Sequence, residues 1–429
     1  MQRSAPPPQF SSPAMRGALD GIRVLDLTRV LAGPWCAQNL ADLGAEVIKV
    51  ERPPSATHVG GDDTRAWGPP HLRDGQGRET ETATYYLAAN RGKKSITIDL
   101  ASAAGQAEIR TLVASCDVMI ENYKVGQLLR YGLDHASLLA LKPSLVYCSI
   151  TGFGQTGPWA YRPGYDFIVQ GLSGFMSITG ERDDACEHCQ GGGPQKAGIA
   201  ISDLLTGVYA TSAILAALFH VARTGIGQHI DMALLDVMVS TMANMNTAYL
   251  NSGEVPGRAG NAHASIVPYQ VFACADGHLI LAVGNDGQFR KFCDVAGCAE
   301  FVGDVRFSSN PARVRNRAVL VPLLEAVFVK RAKHDWIAAL EAAGVPCGPI
   351  DDLSEVFENP QVKARGLRIE LPHATAGKVA LVANPMRMSA TPPRYDLPPP
   401  LLGEHTDEIR GSSPSPRFGD EDANAPPTA

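Results

Sequence analysis

Between Gly21 and Val50 the chain reads strand, helix, strand, and that order leaves few folds open. Residues 22–28 (IRVLDLT) form an apolar run suited to a buried strand. Residues 32–34 (AGP) make a small-residue turn, a helical stretch follows over 35–43, and 45–50 (AEVIKV) is a second short strand about twenty residues after the first. Strands this close that share one helix must run parallel with a right-handed crossover. Further strands are expected at 95–100, 116–121 (CDVMIE) and 144–150 (SLVYCSI), with a helix over 103–115. The first 150 residues therefore predict a doubly wound, Rossmann-like α/β domain.

Past this point the pattern changes. Residues 151–197 are rich in Gly, Pro and aromatics, and a loop region this long inside a domain is usually functional. A long helix is expected over 196–218, then a turn and strand (GIGQHIDMALL, 225–235) entering another helix. From Ala259 a hairpin with a DG turn at 276–277 and helices over 290–296, 317–329 and 335–343 predict a smaller α+β domain. The expected boundaries are a disordered N-terminus (1–19), a large domain (20–235), a small domain (255–345), a return segment completing the large one (346–410) and a disordered tail (411–429). The strand-like residues 379–388 would find their partners back in the large domain.

Composition narrows the function. A net charge of −6 suits neither a nucleic acid nor an anionic membrane surface. No stretch approaches 18 consecutive apolar residues, so no membrane helix is expected. Nine cysteines, an odd number spread along the chain, point to a reducing, cytoplasmic setting. Cys186 and Cys189 have the spacing of half a metal site, but no second pair answers them, and no metal is expected.

One carboxylate stands out. In AGIAISDLLTGVY (197–209) nearly everything but Asp203 belongs in a core. A carboxylate there must be hydrogen-bonded, paired or functional, and helix N-terminal amides could satisfy it. Three strand ends offer ligand groups at the edge where doubly wound sheets bind: TRVLAGPWC (28–36), Arg52, and Glu121-Asn122-Tyr123.

These segments occur together, in order, and the chain resembles the class III CoA-transferases, the group of formyl-CoA transferase and carnitine CoA-transferase. The resemblance rests on VLDLTRVLAGPWCAQNLADLGAEVIKVERP (24–53), NRGKKSITIDL (90–100), DVMIENYKVGQLLRYGL (117–133), SITGFGQTGP (149–158), PGYD (163–166), ISDLLTGVYA (201–210), GQHIDMALLD (227–236), GVPCGPI (344–350) and LLGEHTDE (401–408). It implies an interlocked homodimer that takes acyl-CoA and a carboxylic acid as substrates, holds no permanent cofactor, and uses Asp203 as nucleophile. It places CoA contacts at Leu31, Ala32, Arg52, Ile98, Asp99, Leu100, Ala101, Asn122, Tyr123, Lys124 and Arg130. Arg162, Tyr165 and Asp166 would line the reaction site.

The departures matter. Leu31 stands where formyl-CoA transferase has a glutamine over the reacting centre, Asp166 where it has a glutamate, and GNAHASIVPYQ (260–270) where it has a tetraglycine loop. Formyl-CoA and oxalate are therefore not expected. Arg258 and nearby charges suit a dicarboxylate, with His263 and Tyr269 as further candidates to meet the acyl group. Two rivals share these features. An α-methylacyl-CoA racemase needs two bases, and Tyr165 occupies the position of its histidine; a phenol with a pKa of ~10 is a poor base. A non-catalytic CoA-binding protein would not need Asp203.

Overall fold

The computed structural model describes residues 17–182 and 193–411. The expectations for most of 1–19, for Cys186 and Cys189, and for all but the first residue of 411–429 lie outside the described residues.

The sheet follows from its apolar runs. β1 (Arg23–Asp26), β2 (Glu46–Glu51), β3 (Lys93–Thr97), β4 (Val118–Glu121), β5 (Val146–Thr151) and β6 (Gln228–Ala233) form six parallel strands in the order β3-β2-β1-β4-β5-β6. Helices cover both faces, which is why the central strands read as continuous apolar stretches rather than alternating ones. On one face α2 (Ala103–Ala114) and α3 (His135–Leu141) bury Ile109, Val113 and Leu138 against Leu25, Ile48, Ile96 and Met119. On the other, α1 (Ala32–Asp42) packs along α5 (Ile201–Thr224), and α5 also meets β5 and β6. A Cβ on Gly207 would stand 2.7 Å from Ala32 O, so glycine there permits the helices' close approach.

The strand order reverses between β1 and β4, and ligands of such sheets bind beyond the carboxyl ends of the strands at that switch point. The loops after Asp26 and Glu121 are therefore the place to look.

Several local expectations need correction. α1 begins at Ala32 rather than Trp35, because Pro34 is tolerated in a helix's first turn, where its missing N–H costs nothing. α5 starts at Ile201 and runs to Thr224, ending where Gly225 takes φ 70° in a left-handed cap. It is long and apolar enough to cross a membrane by length and composition alone. In this fold it is a helix packed on the sheet face. Finally, β11 (Gly377–Val382) hydrogen-bonds not to the large sheet but to β10 (Arg368–His373), as an antiparallel hairpin. That hairpin packs Leu371, Val379 and Leu381 on Tyr86 and Leu87.

The chain divides into two compact units. One holds the sheet and comprises the residues through Ser173, Ala197–Asn246 and those from Arg365 on. Its last stretch is tied down by Gly403 N to Ser95 Oγ (2.9 Å), His405 N to Ser95 O (2.9 Å) and Arg65 to Pro400 O (3.0 Å). The second unit comprises Gly174–Lys196 and Thr247–Ala364. It has the three-stranded antiparallel sheet of β7 (Tyr269–Cys274), β8 (Gly277–Ala282) and β9 (Cys347–Pro349), over a core that includes Phe272, Phe292, Phe328 and Trp336.

Candidate active site

The loop leaving β1 is held in a conformation its sequence would not choose. Val30 has φ 73°, a left-handed conformation that a β-branched residue adopts only when its surroundings enforce it. Asn122, just after β4, clamps the residue before it, accepting from Arg29 N (3.0 Å) and donating to Arg29 O (2.7 Å). Val30 N donates to Asp62 Oδ1 (3.2 Å). Lys49 Nζ spans Thr28 O (3.0 Å) and Asp62 Oδ2 (2.9 Å). Lys93 Nζ donates to Asp26 (2.9 Å), Pro34 O (3.0 Å) and Asn90 Oδ1 (3.0 Å). Asp26, Lys49 and Lys93 are fully buried. Burial alone would push the Asp26 carboxyl up, but Lys93 and Lys49 outweigh it and hold the group below its ordinary value. The buried charges thus fix the turn that delivers Leu31 and Ala32 to the site.

A second close approach delivers the carboxylates. A Cβ on Gly152 would sit 2.4 Å from Gly164 Cα, so the loop after β5 and the PGYD segment touch backbone to backbone. Two residues on, Asp166 opens α4 (Asp166–Leu172) and caps a different helix, α5. Its Oδ1 accepts from Ser202 N (2.8 Å), Asp203 N (3.4 Å) and Ser202 Oγ, while Oδ2 accepts from Gln170 Nε2 (2.7 Å). The N-terminal amides that could have satisfied Asp203 are taken by Asp166.

Asp203 is left half-buried, and among the described residues no group donates to its carboxylate. Burial first, then the nearby Asp166 charge, pushes it up to about 7. The Tyr85 phenol is raised to about 12 by burial and then by Asp203 and Asp166.

Two cavities flank the switch point. The larger, about 530 Å³, is lined by Leu31, Ala32, Asn122, Tyr123, Lys124, Arg162, Tyr165, Asp166 and Asp203. The smaller, about 230 Å³, is lined by Arg52, Ile98, Asp99, Leu100 and Ala101. Tyr123, Arg29 and Gln127 border both, so an extended ligand could run from one to the other. Arg130 is exposed and lines neither. Arg52 lies 3.8 Å from Asp63, which also pairs with Arg29 at 3.2 Å. In the second unit, Arg258 donates to Glu181 O (3.0 Å) and His263 packs on Tyr269 with ring centroids 5.3 Å apart.

Sequence reasoning missed Arg29 and Trp67, which also line the larger cavity, and the buried lysines. Lys49 and Lys93 carried a usable signal, a cation inside an otherwise apolar strand; Arg29 and Trp67 carried none.

A doubly wound sheet with a cavity and an unbonded carboxylate beyond its switch point has the layout of an α/β enzyme. Residues 19–406 match CoA-transferase family III, and the chain belongs to that family. It is a CoA-transferase, acting on acyl-CoA and a carboxylate. It is similar to "Succinate--glutarate CoA-transferase" of Agrobacterium fabrum, 52% identical over 397 residues that cover 92% of this chain and 96% of that one. It is also similar to "Succinyl-CoA:glutarate CoA-transferase" of Homo sapiens, 42% identical over 391 residues, 91% of this chain and 85% of that one. Among solved structures, a CAIB/BAIF family protein from Brucella suis superposes with a TM-score of 0.79 at 49% identity, covering 92% of this chain and 99% of that one.

The carboxylate pair sets a pH expectation. If Asp203 must be ionised to react, kcat/KM should rise with pH through about 7 and fall away on the acid side as Asp203 takes up a proton. Asp166→Asn removes the like charge yet still accepts from the helix amides, since Asn caps about as well as Asp. The acid limb should move down by on the order of one unit. A pH–rate profile of the variant that overlays the native one would contradict this assignment.

Proposed function

We propose that the chain moves CoA between succinyl-CoA and a dicarboxylate of similar size, glutarate being the first candidate, with Asp203 as nucleophile. The observation that carries the reading is the Asp203 carboxylate itself, which among the described residues meets no cation or amide donor and which lines the larger cavity. The relatives' names supply the acids.

In the first step an Asp203 oxygen attacks the thioester carbonyl; the C–S bond breaks, leaving a mixed anhydride and CoA thiolate. The thiolate then attacks Asp203 Cγ, the C–O bond to the donor breaks, and succinate leaves an aspartyl-CoA thioester behind. An acceptor carboxylate oxygen attacks the same carbon, expelling thiolate and forming a second anhydride. Thiolate attack on the acceptor's carbonyl releases acyl-CoA and restores Asp203. No net proton or electron is consumed. A carboxylate suits this because it is both nucleophile and leaving group, and the anhydride keeps the thioester's energy. Asp203's raised pKa means a more basic carboxylate than usual, and water must be kept out or the anhydride hydrolyses. The nucleotide end of CoA would lie by Arg52 and Ile98–Ala101, with pantetheine passing Tyr123 toward Asp203. This chemistry asks for no metal and no bound cofactor, and the enzyme would work in the cytoplasm without nucleic acid or membrane.

A panel assay tests the substrate reading: succinyl-CoA as donor, with mono- and dicarboxylate acceptors of two to six carbons. Transfer to C4–C6 diacids well above matched monoacids is expected. Equal rates for both classes would contradict it.

The working form would be the interlocked homodimer implied by the resemblance. Its subunits could separate only by unfolding, so sedimentation at nanomolar concentration should show no folded monomer. A stable, active monomer would contradict the linked assembly.

A further inference from the structure

We propose that Arg162 recognises the distal carboxylate of the dicarboxylate substrate and so sets the enzyme's preference for diacids. The proposal rests on the diacid reading above and adds the residue that reads the second charge.

A diacid bound with one end at Asp203 brings a second negative charge into a cavity that already holds Asp203 and Asp166. That charge needs a cation, and the cavity wall offers Arg29, Lys124 and Arg162. Arg29 pairs with Asp63 at 3.2 Å through one terminal nitrogen, keeps its buried Nε unbonded, and lies over the Tyr123 ring at 5.5 Å, on the side shared with the smaller cavity. Lys124 extends the strand-end segment of Asn122 and Tyr123; it is exposed, as Arg162 is, but its flexible ammonium presents only a point charge.

Arg162 differs from both. Its backbone N–H donates to Trp159 O (2.9 Å), closing a turn that lays the guanidinium over the Trp159 ring at 4.5 Å and the Phe153 ring at 5.4 Å. The two rings meet edge to face with centroids 5.5 Å apart. Stacking occupies the face of a guanidinium and leaves its in-plane N–H fork available, the geometry that takes a carboxylate bidentately. Among the described residues the Arg162 side chain has no carboxylate or carbonyl partner, so the fork is unspent.

Its placement suits the task. Arg162 lies four residues before Asp166, on the segment that Gly164 pins against Gly152, so it is carried by the same backbone contact that sets the carboxylates. It shares the cavity with Asp203, and among the described residues no ion pair or hydrogen bond joins the two. A cation in the reaction cavity but off the nucleophile is what the far end of a diacid requires. Leu31, Ile150 and Leu234 supply apolar wall in the same cavity for the methylenes between the two ends.

The test compares glutarate with pentanoate, equal in chain length but lacking the distal charge, as acceptors for native protein, Arg162→Met and Arg162→Lys. Native protein should favour glutarate by about 100-fold in kcat/KM, since a site built to bind a charged group rejects the analogue lacking it. Arg162→Met should lose about 100-fold on glutarate and change less than about threefold on pentanoate, erasing the preference. Arg162→Lys, which keeps the charge but not the fork, should fall between. The dissociation constant of free CoA should stay within about twofold in both variants, showing that the fold and the nucleotide contacts persist. If native protein prefers diacids and Arg162→Met still does, the assignment of Arg162 is overturned while the diacid reading stands. Equal losses on both acids, or a large rise in the CoA dissociation constant, would equally overturn it by making Arg162 a general or CoA contact. If native protein shows no preference, the diacid reading fails and takes this proposal with it.

Discussion

Asp203→Asn should reduce transfer by at least about 10⁴-fold while leaving CoA binding and thermal stability close to native. An amide of the same shape cannot form the anhydride, so the covalent route closes entirely and only background reaction remains. The fold should tolerate the change, because the amides of the α5 first turn bond to Asp166 rather than to Asp203. Removing a half-buried charge that burial and Asp166 disfavour should, if anything, stabilise the protein above pH 7. The sign follows from the raised pKa: native Asp203 favours the fold in its neutral form, and that contribution is lost as pH rises through about 7. Circular dichroism and CoA titration, run beside the transfer assay, separate loss of chemistry from loss of structure. Residual transfer within about tenfold of native would exclude Asp203 as nucleophile.

The second large effect concerns the buried charges under the β1 loop. Lys93→Met should destabilise the protein by about 3–5 kcal/mol, the usual cost of breaking a buried pair by removing one partner. Asp26 would lose the nearer of its two cations, and Pro34 O and Asn90 Oδ1 would each lose a donor in a site without solvent. The double variant Lys93→Met/Asp26→Leu should recover part of that loss, since an apolar replacement of the whole pair strands no charge, although Pro34 O and Asn90 Oδ1 still lack a donor and Thr28 loses its acceptor. It should remain a poor enzyme, because Asp26 also accepts from Thr28 at the start of the loop that presents Leu31 and Ala32. Chemical denaturation at one fixed protein concentration checks the order of stabilities. A single variant within about 1 kcal/mol of native would show that the buried network does not hold the fold.

Lys93 and Asp203 also show how far the sequence could be read. β1, β2, β4 and β5 were legible as largely apolar runs bounded by polar turns, while β3 (KKSIT) and β6 (QHIDMA) carry a weaker signal. Their order was not, since nothing local says that β4 rather than β3 lies beside β1. Asp203 was legible as a carboxylate interrupting an apolar helix start, and what satisfied it was not. The answer lay 37 residues away at Asp166, brought in by the Gly152–Gly164 approach. The same reasoning applied to AEVIKV would have singled out Lys49, whose ammonium holds Thr28 O. The Asn122 side chain, which lines the larger cavity, also clamps both backbone groups of Arg29, a contact the sequence did not reveal. Which strand β11 pairs with was not legible, because a strand at 379–388 declares its apolar face but not its partner. The remaining CoA contacts were named by resemblance alone, among them Arg130, which is exposed and borders neither cavity.

The most direct measurement is to trap the covalent enzyme. Protein incubated with succinyl-CoA and no acceptor, then treated with hydroxylamine or borohydride, should carry one modification per active chain. Peptide mass spectrometry should place it on Asp203, as the hydroxamate or the alcohol, and it should be absent without acyl-CoA and absent in Asp203→Asn. Modification of Asp166 or another carboxylate instead, or no modification in a preparation that still turns over, would contradict the assignment of Asp203 as the group that carries CoA.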